Sequence, residues 1–169
     1  MSKARYLSYP YLAEESNCCT HEVLTDRLSS ELGLIASKME KYPREKEVIL
    51  TICEKVYHIN GSIRGNMGIS EDDLKQLNDF YSYYEQEVKD ELKKFVLPTG
   101  SELVCYIHLA RCSGKQVVRN MYNVQREGKH VDKLLFNYMN LMSNFMFVLG
   151  VYLNKQENYK EIEFISKSY

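Results

Sequence analysis

From Leu134 to Asn154 the chain carries no charged residue. A stretch of that length has two stable homes, the hydrocarbon of a bilayer or the inside of a helical protein. Asn137, Asn140, Ser143, Asn144 and Asn154 interrupt it, and each amide left without a partner in hydrocarbon is costly. The run therefore reads as a helix buried nearly all round, at the centre of a bundle or in a subunit interface. No membrane is expected as a partner.

The rest of the chain agrees with a single soluble helical domain. A length of 169 residues suits one core. With 44% hydrophobic and 27% charged residues the chain is globular rather than disordered. The formal charge of -1, with no basic stripe, argues against nucleic acid as a partner. The five cysteines (Cys18, Cys19, Cys53, Cys105 and Cys112) lack framework spacing. The first residues contain no apolar signal segment, and both features point to free thiols in a reducing cytoplasm.

Apolar spacing predicts five helices. Residues 1–22 form an irregular arm holding Tyr6, Tyr9, Tyr11 and the Cys18-Cys19 pair. Leu24, Leu28, Leu32, Ile35 and Met39 share one face of a first helix that starts near Val23. A second helix runs from about Arg44 to Ile63 on Val48, Ile49, Ile52, Val56 and Ile59. Ser70 followed by Glu71, Asp72 and Asp73 starts a third, which extends to about Lys94. Pro98 and Gly100 break the chain before a fourth helix, about Ser101 to Arg126, and Gly128 precedes the fifth, about Val131 to Asn154. The bundle domain is thus 23–155, and 156–169 is a tail that either docks as a short helix or hangs loose. The fold class is all-α, a five-helix bundle.

Generic motifs are missing. There is no phosphate loop, no H-E-x-x-H and no nucleophile elbow. His58 follows Glu54 by four residues rather than the three of a bundle metal site, so no metal is expected. Cys18, Cys19 and His21 are soft ligands too few and too divergent for a closed zinc site.

The segments Phe95-Val-Leu-Pro-Thr-Gly-Ser-Glu-Leu-Val-Cys-Tyr-Ile-His-Leu-Ala-Arg111 and Asn140-Leu-Met-Ser-Asn-Phe-Met-Phe-Val-Leu-Gly-Val-Tyr-Leu-Asn154 carry the informative pattern. They resemble the F-x-L-P-G-G, H-x-A-R and N-R-L-S-D motifs of the propanediol-utilisation (PduO) type of ATP:cob(I)alamin adenosyltransferase. Thr25-Asp-Arg-Leu-Ser-Ser-Glu-Leu-Gly-Leu34 and Ser70-Glu-Asp-Asp-Leu-Lys-Gln-Leu77 are similar to upstream segments of that family. The likeness spans roughly residues 23–155, in order.

The resemblance implies a five-helix bundle that assembles as a homotrimer, with sites between subunits for ATP (with Mg2+) and a reduced corrinoid such as cobalamin. Co(I) attacks the 5' carbon of ATP and triphosphate leaves, so fixed cations are needed where negative charge departs. By the same likeness, Phe95 excludes the lower axial ligand of the corrinoid, and Arg111 contacts the nucleotide. Asp26 pairs with a catalytic arginine of the neighbouring subunit, and Asn140 and Ser143 contact the nucleotide. Their i, i+3 spacing is expected to put these last two on one helix face.

Two departures stand out. Lys115 occupies the place of the second, catalytic arginine, with Gln116 and Val118 replacing a further arginine and a glutamate, and Gly114 lies inside the helix. Lysine keeps the charge but lacks the planar fork that grips carboxylate and phosphate. The family's T-G-D-x-G-x-T phosphate loop is also missing, because no glycine precedes Gly33. Three functions follow as expectations: adenosyl transfer with a diverged nucleotide grip, non-catalytic cobalamin binding or delivery, or a helical interaction module.

Overall fold

The computed structural model describes residues 3–168, and five helices dominate it: α1 (Asn17–Ser37), α2 (Pro43–Ser62), α3 (Glu71–Glu87), α4 (Glu102–Arg126) and α5 (Lys133–Gln156). Neighbours follow the circuit α2–α1–α4–α5–α3, and α2 also touches α3 and α5. The expected five-helix bundle is what forms.

Helix α1 begins at Asn17 rather than Val23, which corrects the arm to the residues before it. Two long-range groups explain the earlier start. The Ser16 hydroxyl accepts from the Cys18 amide at 3.2 Å, and the Glu127 carboxylate, from beyond α4, accepts from the Asn17 amide at 3.1 Å. Cys18, Cys19, His21 and Glu22 are consequently buried in helix rather than held in a mobile arm. The inner face here is polar. Thr25 and Ser29 donate back to the carbonyls of His21 and Thr25, at 2.8 and 2.9 Å. Such back-bonding hides the apolar period that a sequence reading needs.

Pro43 occupies the first turn of α2, where its missing N–H costs nothing. Ser70 and Asp73 form a reciprocal capping box for α3. That helix ends at Glu87, not Lys94, because Lys155 of α5 donates to the Glu87 carbonyl at 2.7 Å and pairs with Glu91 at 2.9 Å. A 3-10 turn, Glu91–Lys93, follows and releases residues 94–97 into extended backbone.

Helices α4 and α5 form a tight seam. A Cβ built on Gly114 would lie 2.6 Å from both Met142 Cε and Ser143 Oγ, so glycine inside α4 is what lets the helices approach. Helix α5 has mean hydropathy 1.4 over a span-length window, and 67% of that window is buried inside the bundle. Met139, Met142, Phe145, Met146 and Leu149 fill the core. Its exposed stripe is Asn137, Asn140 and Asn144, so three of the four asparagines that break the apolar run mark the face that meets solvent, and the fourth, Asn154, is buried.

The tail is neither helical nor loose. Val96 and Glu163 form an antiparallel bridge, flanked by Leu97 N–H donating to Ile162 O and Phe164 N–H donating to Phe95 O, both at 2.8 Å.

Candidate functional site

A cleft of about 490 Å³ opens between α4, α5, the end of α3 and the extended segment after it. Phe95, Arg111, Lys115 and Ser143 meet there, joined by Asn144 and Phe147. The helical repeat places Arg111 and Lys115 one turn apart on the same side of α4. Among the described residues neither takes part in an ion pair. The Arg111 guanidinium rests 5.6 Å from the Phe147 ring centroid, and its Nε is buried without a hydrogen-bond partner. A buried donor without an acceptor is costly, which fits a group waiting for one.

Lys93 and Lys94 add positive charge at the mouth, but each is paired, with Asp90 at 2.7 Å and Glu163 at 2.9 Å. The one carboxylate of the lining, Glu85, accepts from the Tyr81 hydroxyl at 2.9 Å. Among the described residues, Arg111 and the exposed Lys115 are therefore the unpaired cations of the cleft. His108, one turn before Arg111, is buried with its ring 6.3 Å from Phe147. Burial, and then the Arg111 charge, push its pKa down to about 4, so it is neutral near pH 7 and does not compete for anions. The Ser143 hydroxyl donates to Met139 O at 2.9 Å, leaving its oxygen to accept.

Phe95 is 83% exposed at the rim. In antiparallel pairing, residues opposite one another share a face, so Phe95, Leu97, Ile162 and Phe164 line one side of the small ribbon. All four are exposed apolar side chains. Sequence reasoning missed Ile162, Phe164, Asn144 and Phe147. The tail did carry a signal in the period-two alternation Glu161-Ile-Glu-Phe164, but a run so short reads as strand only once a partner is known.

Two expected members lie elsewhere. Asn140 does not share the cleft with Ser143. It is exposed toward α3, beside Lys75 and Asn78. Three residues at 100° each leave two side chains about 60° apart, and on α5 that angle separates an exposed edge from a buried one. Asp26 is exposed on α1 and lines a different cavity, about 390 Å³, with Tyr9, Leu12, Tyr57 and Asn60. Within one chain it is not assembled with Arg111 or Lys115. Among the described residues no group of His, Cys, Asp and Glu side chains converges as a metal site.

In place of a glycine loop, the residues before α1 are stapled by Arg64. It bonds Glu22 at 2.9 Å and Glu14 at 2.6 Å and stacks 4.6 Å from the Tyr11 ring centroid.

Comparison with known proteins agrees with the fold. Among solved structures, the fold is similar to an arginine-to-lysine variant of a PduO-type ATP:corrinoid adenosyltransferase from Lactobacillus reuteri complexed with ATP. The TM-score is 0.73 at 18% identity, covering 89% of both chains. A phenylalanine-to-alanine variant of that enzyme, complexed with cobalamin and ATP, matches with TM-score 0.69 at 18% identity, covering 90% of this chain and 88% of the other. A corrinoid adenosyltransferase of Bacillus subtilis (strain 168) is 23% identical over 147 residues, 82% of this chain and 75% of the relative. The profile of the cobalamin adenosyltransferase family matches residues 23–153, and the chain belongs to that family.

Proposed function

We propose that this protein transfers the 5'-deoxyadenosyl group of ATP to the Co(I) of a corrinoid. Cobalt supplies the electron pair of the new Co–C bond. The C5'–O bond breaks and triphosphate leaves with that bond's electrons. One observation carries the reading: two cations unpaired among the described residues, Arg111 and Lys115, share a cleft with the apolar side chains of Phe95, Val96, Phe147 and Val148.

Arg111 and Lys115 stabilise the charge that gathers on the triphosphate, and ATP enters with Mg2+. Lys115 does so as a point charge without a fork. The L. reuteri variant with an arginine exchanged for lysine is complexed with ATP, so such an exchange within the family is compatible with bound nucleotide. Phe95 and its ribbon neighbours offer the corrinoid a dry surface that disfavours a lower axial ligand. Ser143 and the amide of Asn144 face the nucleotide, while Asn140, turned toward α3, stays outside this cleft. Asp26 has no ion-pair partner among the described residues. In a cytoplasmic homotrimer it completes the site of a neighbouring copy, pairing with Lys115 there.

The test is to mix purified protein with ATP, Mg2+ and chemically reduced cobalamin and follow the absorbance of the adenosylated product. Product formation is expected. No product, with a spectral shift toward four-coordinate Co(II), would leave cobalamin delivery as the function. Light scattering of the purified protein should give a trimer, and a monomer would sink the role of Asp26.

A further inference from the structure

Phe95 stands on extended backbone and is too exposed for core packing to hold it. A wall that must exclude a ligand has to be preorganised, so something else must fix this segment. The bracing comes from the far end of the chain. Asn154, 1% exposed in the last turn of α5, donates one amide hydrogen to Thr99 O and the other to Glu161 Oε1, both at 2.9 Å. Its Oδ1 lies against Gly100, where a Cβ would come within 2.3 Å, and has no hydrogen-bond partner. An orphaned buried carbonyl is a cost that an apolar residue would avoid. The position is therefore explained by its two donors, one directed to each side of the ribbon.

Beyond Asn154, the tail closes on the Phe95 segment through its backbone. Phe164 N–H donates to Phe95 O, Leu97 N–H donates to Ile162 O, and Lys94 pairs with Glu163. These contacts involve residues at or past the end of the family match at 153.

The geometry points to Asn154 and segment 161–164 as a clasp that positions Phe95, and hence the apolar wall, at the cleft. Asn154 is a positioning residue, acting through the Phe95 segment rather than on substrate. The inference rests on the reading of Phe95 as a corrinoid-facing residue.

Two full-length variants test it. Asn154→Ala removes both donors, and Phe164→Pro removes the N–H that bonds Phe95 O together with the phenyl ring, with Phe164→Ala as the control that loses the ring but keeps that N–H. The first readout is hydrogen exchange of the Leu97 amide, which needs no ligand. Exchange should accelerate about tenfold in Asn154→Ala and in Phe164→Pro, as expected for loss of one to two hydrogen bonds. The second is the split between substrates. Corrinoid KM should rise roughly fivefold and the four-coordinate Co(II) signal should shrink, while ATP KM stays put. Phe164→Pro should exceed Phe164→Ala in both readouts. Unchanged Leu97 exchange in both clasp variants, or faster exchange with corrinoid KM and the Co(II) signal unmoved, would overturn the clasp. An unaltered parent that takes no corrinoid instead removes the functional reading, and Leu97 exchange then still decides whether the clasp exists. Because the ribbon lies outside the core, Phe164→Pro should melt like the parent even if Asn154→Ala folds poorly.

Discussion

Arg64 and Arg111 are both partly buried arginines, yet they sit in opposite electrostatic situations. Arg64 spends its guanidinium on Glu22 and Glu14 and covers Tyr11. Arg111 touches the Phe147 ring and leaves a buried Nε without an acceptor. The first arginine has its charge met by two carboxylates inside the chain, so it works as a staple for the residues before α1. The second carries an unmet need, which the anion of an incoming nucleotide would meet in the proposed reaction. A satisfied cation is structural, and an unsatisfied one in a cleft is available for binding.

That contrast can be broken experimentally. The largest effect belongs to Arg111→Ala. Adenosyl transfer should fall by about 10² to 10³, the usual scale for losing one group aimed at developing charge, while the melting temperature moves little. Near-normal turnover in the steady-state assay would erase the distinction from Arg64.

Acid tests the protein beyond both arginines. His21 and His108 each have a folded pKa near 4, lowered chiefly by burial, against 6.5 when unfolded. The unfolded chain therefore binds more protons between those values, and stability must fall as pH drops from 6.5 toward 4. Each histidine contributes on the order of 3 kcal/mol to that loss. Urea unfolding at a series of pH values reads it, and a flat profile would mean that both rings are accessible.

Arg64→Ala should show the mirror image of Arg111→Ala. It strands the Glu22 side chain, only 8% exposed, and should cost about 2 kcal/mol of unfolding free energy, with turnover of the folded fraction retained. Smallest is Lys115→Arg, which restores a bidentate fork beside Arg111. Turnover should rise about fivefold, the scale of one added charge-assisted bond, without a stability change. A decrease would show that the cleft is shaped around lysine.

Much of this architecture is legible in the sequence. Leu28, Leu32 and Ile35, or Val48, Ile52 and Val56, repeat with a helical period, and that period depends only on backbone geometry. Helix ends are less legible because remote groups set them. Glu127 draws the start of α1 back to Asn17, and Lys155 stops α3 at Glu87. Neither acts within a helical turn of the end it governs. Ile162 and Phe164 were illegible for the same reason, since a strand-like segment of the tail has no meaning until Phe95–Leu97 lies opposite it.

The sequence by itself determined five helices and the break at Pro98–Gly100 from local spacing, because a helix fixes which side chains point the same way. Phe95, Arg111, Lys115 and Ser143 were named together by the family resemblance and not by spacing. Only the tertiary structure decided that Arg111 goes unpaired, that Asn140 and Asp26 face away from the cleft, that Gly114 is the contact point of α4 with α5, and that the tail braces Phe95. Those are properties of which faces meet, and burial and pairing between distant residues exist only once the helices have packed.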